Sequence, residues 1–216
     1  MLTVNEIFYS LQGESSFAGY PCVFIRLTGC NLRCAWCDTQ YAYFEGQELS
    51  LQQIVQTVIH YKPFLVEITG GEPLLQKETP ALAQSLLDKG LTVLVETNGS
   101  LDIEPLPSAC HRIIDIKTPG SNQSDKNNFA NLQVVGEKDE IKFVIASRKD
   151  YEWSKEIMTQ YELSDRCKVL LSPAHGYIES EKVAQWILKD NLHVRLQPQL
   201  HKLLWPQDFK QRDRHE

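Results

Sequence analysis

The chain has 216 residues, 42% of them apolar, with a formal charge of −6 and six cysteines. That length suits one domain with a buried core; no run of about 18 apolar residues offers a membrane span, and the acidic balance gives no broad attraction to nucleic acid. The start, MLTVNEIFYSLQGE, has no basic region followed by an apolar stretch, so it does not read as a secretory signal, and the cysteines then suggest a reducing, cytoplasmic setting rather than a disulfide framework.

From the N-terminus, Pro21 to Thr28 (PCVFIRLT) is apolar and β-branched and predicts a buried strand with a cysteine loop at its end. Ser50 is placed to cap a helix striped by Leu51, Ile54, Val55, Val58 and Ile59. Phe64 to Thr69 (FLVEIT) predicts the next strand, broken by Gly70-Gly71. Thr79 with Pro80 behind it opens a helix, and Gly90 stops it. Leu91 to Glu96 and Arg112 to Ile116 are two more strands. Residues 118–140 are polar and read as a long loop with one helical turn near Phe129. Ile141 to Ala146 is a strand, and Trp153, Ile157, Met158 and Tyr161 mark a helix. Lys168 to Leu171, a helix striped by Val183, Ala184, Ile187 and Leu188, and Val194 to Leu196 complete the pattern. The tail, KQRDRHE, reads as a solvated end.

Strands alternating with helices imply an α/β fold with a parallel sheet. About six core strands suit a partial (β/α) barrel with a reduced set of helices, since a full eightfold barrel typically needs ~250 residues. The domain is expected to run over residues 1–205, with 206–216 as a charged tail. Chemistry in such sheets collects at the C-terminal strand ends. The cysteines, TGGEP (69–73), ETNG (96–99), KTPG (117–120) and SPAH (172–175) each follow a predicted strand.

Cys30, Cys34 and Cys37 stand at C-x₃-C-x₂-C spacing, and no comparable Cys or His cluster follows. Three thiolates on one loop can hold three corners of an iron–sulfur cube and leave the fourth iron open. Two plainer readings stand beside this one. Structural zinc would take a fourth ligand from Cys22, Cys110, Cys167 or a distant His; an electron-transfer cluster would want a fourth cysteine. Gly70-Gly71 is either a tight turn or a stretch of backbone that lets a ligand come close. Glu96, Asn98 and Lys117 are ordinary polar strand ends or ligand contacts. Arg26, on an apolar strand, needs a carboxylate partner: Glu14, Glu67 or a substrate's own.

The cysteine spacing, with aromatic Trp36 before the last cysteine, resembles the signature of the radical S-adenosylmethionine (SAM) enzymes. Together with LQGE (11–14), FIRLTGCNLRCAWCDT (24–39), ITGGEP, ETNG and QLHK (199–202), it resembles the 7-carboxy-7-deazaguanine synthase family. The resemblance runs from about residue 3 to residue 205 and implies a partial barrel of the radical SAM type. It implies a lyase that converts 6-carboxy-5,6,7,8-tetrahydropterin to 7-carboxy-7-deazaguanine and ammonia, for queuosine and other 7-deazapurines. The implied cofactors are a 4Fe–4S cluster, SAM and Mg²⁺; the implied partners are an electron donor such as flavodoxin or ferredoxin and a second copy in a homodimer. Residue by residue, it implies Cys30, Cys34 and Cys37 on the cluster and Thr39 on Mg²⁺. Trp36, Cys37, Asp38, Gly71, Lys117, Thr118, Pro119, Ser172, Pro173, Ala174 and His175 would line SAM, with Glu96 and Asn98 near its ribose or carboxylate. Leu11, Gln12 and Gly13 would hold the pterin ring, Arg26 the substrate carboxylate, and Thr69 would lie alongside. No amino-acid side chain is implied as catalyst, because the radical is generated on SAM.

Two departures stand out. The family commonly reads LQGEG, but Ser15 occupies the second glycine's place. The chain also runs about ten residues past Trp205-Pro206, where some members end with a carboxylate on the substrate. The rival readings are a glycyl-radical activase, which shares the cysteine spacing, and a zinc-stabilised binding module.

Overall fold

Seven parallel strands and an antiparallel pair beside them form one nine-stranded sheet in this computed structural model, which describes residues 1–205. The charged tail expected at 206–216 lies outside the described residues. The strands are β1 (Leu2–Leu11), β2 (Pro21–Leu27), β3 (Gln47–Leu49), β4 (Leu65–Gly70), β5 (Thr92–Thr97), β6 (His111–Ile116), β7 (Glu140–Ile145), β8 (Lys168–Pro173) and β9 (Arg195–Leu196). Their order is β3-β1-β2-β4-β5-β6-β7-β8-β9, parallel from β2 onward. All seven strands expected from the sequence are present, each with ends shifted by no more than two residues.

The helices are α1 (Leu51–His60), α2 (Thr79–Leu87), α3 (Asn131–Val134), α4 (Arg148–Gln160), α5 (Leu163–Arg166), α6 (Ser180–Lys189) and α7 (Leu200–Leu204). Capping sets their starts. Ser50 Oγ accepts from Gln53 N while Gln53 Oε1 accepts from Ser50 N, and Ser147 Oγ accepts from Asp150 N. Pro80 falls in the first turn of α2, and Gly90 beyond its end has φ +77°. On α6 only Val183 and Ile187 of the expected stripe are buried; Leu188 is 79% exposed.

The sheet has two unlike faces, and alternation along each strand separates them. Val23, Ile25, Leu27, Val66, Ile68, Val93, Val95, Ile114 and Ile116 join the helices in the main core. On the opposite face Cys22, Phe24, Leu65, Leu94 and Ile113 form a smaller apolar cluster with Phe8 and Phe17. Continuing along that second face by twos, the same strands carry Arg26, Glu67, Glu96 and Asp115. The inner face is thus apolar at the N-terminal strand ends and charged toward the C-terminal ends.

The sequence reading assigned no strand to β1 or β3. β1 (LTVNEIFYSL) carries Asn and Glu among its apolar residues, and its register shifts between Val4 and Glu6, so no clean alternation marks it. The loop after it crosses to β7: the Ser16 N–H and hydroxyl both donate to Glu140. In that loop Ser15 has φ +62°, left-handed backbone that favours glycine. Its buried hydroxyl accepts from Phe17 N at 3.1 Å, which offsets part of the strain. Ser15→Ala should therefore lose the bond and keep the strain, at a cost of about 1 kcal/mol. Ser15→Gly should cost less than Ser15→Ala, because relief of the left-handed strain works against the lost bond. Urea denaturation of the three proteins checks this order.

Candidate active site

Above the apolar inner cluster lies a cavity of about 410 Å³. Its lining includes Leu11, Gln12, Gly13, Arg26, Cys30, Cys34, Trp36, Cys37, Asp38, Thr39, Thr69, Gly71, Lys117 and the turn Ser172 to His175. Two of the expected residues are elsewhere. Thr118 and Pro119 stay out of the lining: Thr118 Oγ1 donates to Val144 O at 2.8 Å, and Pro119 begins a 3₁₀ turn. That turn supports the cysteine loop from behind, with Ser121 O accepting from Ala35 N at 3.1 Å and a Gly120 Cβ site 3.1 Å from Trp36.

The cysteine loop is held by backbone. Gly71 has no room for a Cβ, which would collide with the Gly29 carbonyl, and Glu72 N donates to Gly29 O at 2.7 Å. The paired glycines therefore let the cysteine loop itself approach. Glu72 is fully buried and acts as a brace: its carboxylate accepts from Leu74 N at 2.9 Å, Thr97 Oγ1 at 2.8 Å and Asn98 N at 2.6 Å. Burial raises its pKa while those three donors oppose the rise. Burial also pushes the Cys34 thiol up, against the pull of Lys117.

The charged wall centres on Lys142, 5% exposed on β7. Its Nζ meets Glu14 at 3.0 Å, pairs with Glu96, and lies 3.6 Å from Asp115, whose carboxylate also takes Lys117 at 2.9 Å. Burial disfavours the lysine's charge, but the three carboxylates hold its pKa well above the ordinary value. Glu14 is half-buried; desolvation works against its charge, yet its pKa stays low because Lys142 and Gln199 stabilise the anion. Glu67 differs. Its carboxyl accepts from Gln12 Nε2, and burial followed by repulsion from Glu96 pushes its pKa well up.

Arg26 finds its partner in Glu6, not in Glu14 or Glu67. The antiparallel register sets Glu6 opposite Arg26, and Nε donates to Glu6 at 2.7 Å. Tyr41 donates to the same carboxylate at 2.9 Å, and Arg26 Nη1 donates to Gly70 O at 3.4 Å. At the mouth, Thr39 makes no side-chain cap bond to the 3₁₀ turn it precedes and donates instead to Asp38 at 3.0 Å. Burial works against the Asp38 charge, but Lys202 at 2.8 Å draws its pKa down to about 2.

The sequence reading missed Lys142 and Asp115, and it treated Glu67 only as a possible partner for Arg26. Their common signal is a lone charge inside an apolar strand, in IKFVI, RIIDI and FLVEIT, on the parity that the inner face uses.

A partial barrel whose C-terminal rim carries three cysteines on one loop defines a radical SAM enzyme, and the Radical SAM superfamily profile matches residues 24–160. Two curated relatives extend the likeness over nearly the whole chain. The 7-carboxy-7-deazaguanine synthase of Chlorobaculum tepidum is 42% identical, covering 97% of this chain and 96% of the relative. That of Koribacter versatilis is 41% identical, covering 97% and 99%. The chain belongs to the 7-carboxy-7-deazaguanine synthase family. Among solved structures, QueE from Escherichia coli shares the fold at TM-score 0.70 and 24% identity, covering 93% of this chain and 94% of that one. Membership in this family sets aside the glycyl-radical activase and the zinc-stabilised module.

Glu67 supplies a test of the wall. Its folded pKa lies above the ordinary Glu value of 4.5, so its protonation favours the fold. That contribution is complete below about 4.5 and is lost as pH rises toward the folded value. Glu67→Gln keeps the shape and removes the ionisation. The variant should gain on the wild type as pH rises from about 4.5 toward the folded value in denaturant titrations; a gap independent of pH would show Glu67 already ionised.

Proposed function

We propose that the chain converts 6-carboxy-5,6,7,8-tetrahydropterin to 7-carboxy-7-deazaguanine and ammonia by radical ring contraction, as a carbon–nitrogen lyase in queuosine and 7-deazapurine biosynthesis. One observation carries the reading: the cysteine loop opens into the same cavity as the half-buried Arg26 and the Lys142 wall. A cavity of this size suits small-molecule ligands.

The residues fit the cofactors. Three thiols without disulfide partners, and with no fourth cysteine in the cavity lining, suit a cluster with one open iron. When bound, the cluster and SAM supply one-electron chemistry: reductive cleavage of SAM to a radical that abstracts hydrogen. Cys30, Cys34 and Cys37 would hold the cluster. Trp36, Asp38, Gly71, Lys117 and the Ser172–His175 turn would surround SAM. Lys117 and Asp115 present opposite charges, as the carboxylate and amino group of a methionine require.

Gln12 with Glu67, next to Leu11 and Gly13, presents a mixed donor and acceptor edge suited to a pterin ring. Arg26 would meet the substrate carboxylate, with Glu6 and Tyr41 fixing its guanidinium. Thr39 beside Asp38 offers oxygen ligands for Mg²⁺, a cation that keeps waters and accepts substrate oxygens. We place the enzyme in the cytoplasm as a homodimer, reduced by a flavodoxin- or ferredoxin-like donor, with residues 1–205 as one domain.

Replacing Cys30, Cys34 or Cys37 by Ala should empty the cluster, since each thiolate is the protein ligand of one iron. Cys22, Cys110 and Cys167 are buried away from the cavity, and Ala there should leave iron and sulfide content unchanged. Iron loss from Cys110→Ala or Cys167→Ala would contradict the open-iron arrangement.

Arg26→Lys keeps the charge without the planar fork. Binding of the carboxypterin should weaken by about 1–3 kcal/mol, roughly ten- to a hundred-fold. Glu6→Gln should lower thermal stability and leave binding within a few-fold of wild type. Calorimetric titration paired with melting curves separates the two effects; an Arg26→Lys protein that binds normally would remove Arg26 from the site.

A further inference from the structure

Asn98, at the end of β5, borders the cavity, yet its side chain is committed to the cysteine loop. Its Nδ2 donates to Asn31 Oδ1 at 3.0 Å and to Cys30 Sγ at 3.8 Å. Its Oδ1 accepts from Ser100 N at 3.0 Å and Ser100 Oγ at 2.6 Å. Ser100 Oγ in turn accepts from Asn31 Nδ2 at 2.9 Å, which closes a ring. The Asn98 backbone N–H is fixed on Glu72. With both ends of the amide bonded and the residue 7% exposed, the NH₂ group is held facing Cys30.

We propose that Asn98 tunes the cluster: its side-chain N–H on Cys30 Sγ raises the reduction potential of the cluster that Cys30 helps to hold. The inference rests on the cluster reading above and assigns Asn98 a positioning role toward a ligand sulfur, not a contact with SAM. Reduction places more negative charge on the iron ligands. A fixed N–H donor gains more from the reduced state than from the oxidised one, and hydrogen bonds to sulfur are among the determinants of cluster potential. Burial strengthens the effect, because little water screens the dipole. Leu32 N adds a second donor to the same sulfur at 3.4 Å. Cys30 is therefore a ligand with two donors on its sulfur, and the Asn98 donor can be removed without altering the backbone.

The test compares reconstituted wild type, Asn98→Leu, Asn98→Asp and Asn31→Ala. Iron and sulfide are counted, and the potential is read by redox titration followed by electron paramagnetic resonance. Asn98→Leu should move the potential to a more negative value at full iron content. Asn98→Asp should move it further, since a carboxylate replaces the donor beside a thiolate. Asn31→Ala removes the other acceptor of the amide but leaves the N–H on Cys30, and it should keep the wild-type potential. Turnover of the Asn98 variants should fall with a mild electron donor and recover with dithionite, a split that a merely loosened loop does not give. Wild-type potentials in both Asn98 variants at full iron would overturn the inference. So would loss of iron from both in folded protein, because Asn98 would then only build the loop. Wild-type protein that takes up no iron would instead defeat the cluster reading itself.

Discussion

Lys142 is the charge on which the inner architecture depends. A buried ammonium without partners costs several kcal/mol, and removing one member of a buried pair leaves the other exposed to the same penalty. Lys142 avoids this by meeting carboxylates from three places: Glu14 on the β1–β2 loop, Glu96 on β5 and Asp115 on β6. Glu14 leans on the lysine in turn, while Asp115 also has Lys117 nearer by, at 2.9 Å. The ties span the open interior of the sheet, so the strands cannot collapse on one another and the loop cannot drift away. Here a requirement of stability shapes a cavity.

The same economy appears in the supports of the cysteine loop. Glu72 spends its carboxylate on backbone and hydroxyl donors and none on solvent. Gly29, Gly71 and the 3₁₀ turn after Thr118 bring three strand-end loops together through main-chain contacts. Side chains at the rim are therefore left to face the cavity. Where a rim side chain does bond inward, it serves a neighbouring element: Thr118 bonds to Val144 O on β7, and Asn98 to the cysteine loop.

The parallel strands β2 and β4 to β8 were legible because each is mostly buried and reads as an apolar run with a turn behind it. β1 was not, because its alternation breaks at the bulge beside Glu6 and it lies between the antiparallel β2 and β3. The cysteine loop and most of the rim could be placed from spacing, since chemistry at strand ends follows from topology. Pairings across the barrel could not. Glu6 faces Arg26 only through a hairpin register that nothing local announces, and Glu14 and Glu67 were equally reasonable choices on charge alone. Lys142 was hidden in a strand whose apolar neighbours drew attention to the core face. Parity would have marked the wall: on β4, β5 and β6 the residue two places beyond the apolar floor is an acid, and Lys142 on β7 meets two of those acids, Glu96 and Asp115.

Ser15 and Gly13, separated by one residue in the same motif, answer to different constraints. The left-handed backbone at Ser15 is a local demand of the loop, met by a hydroxyl where glycine would serve. Gly13 has no such backbone. A Cβ there would strike the His201 ring, Leu200 N donates to Gly13 O at 2.9 Å, and Gln199 reaches Glu14 at 2.8 Å. The glycine of LQGE is thus required by the QLHK segment at the other end of the chain. Lys202 completes the span by pairing with Asp38, next to the last cysteine. The first and last motifs are one strap across the mouth of the cavity, joined on one side to the Lys142 wall through Glu14 and on the other to the cysteine loop. A charge network that keeps the barrel open thereby also decides where these two motifs meet across it.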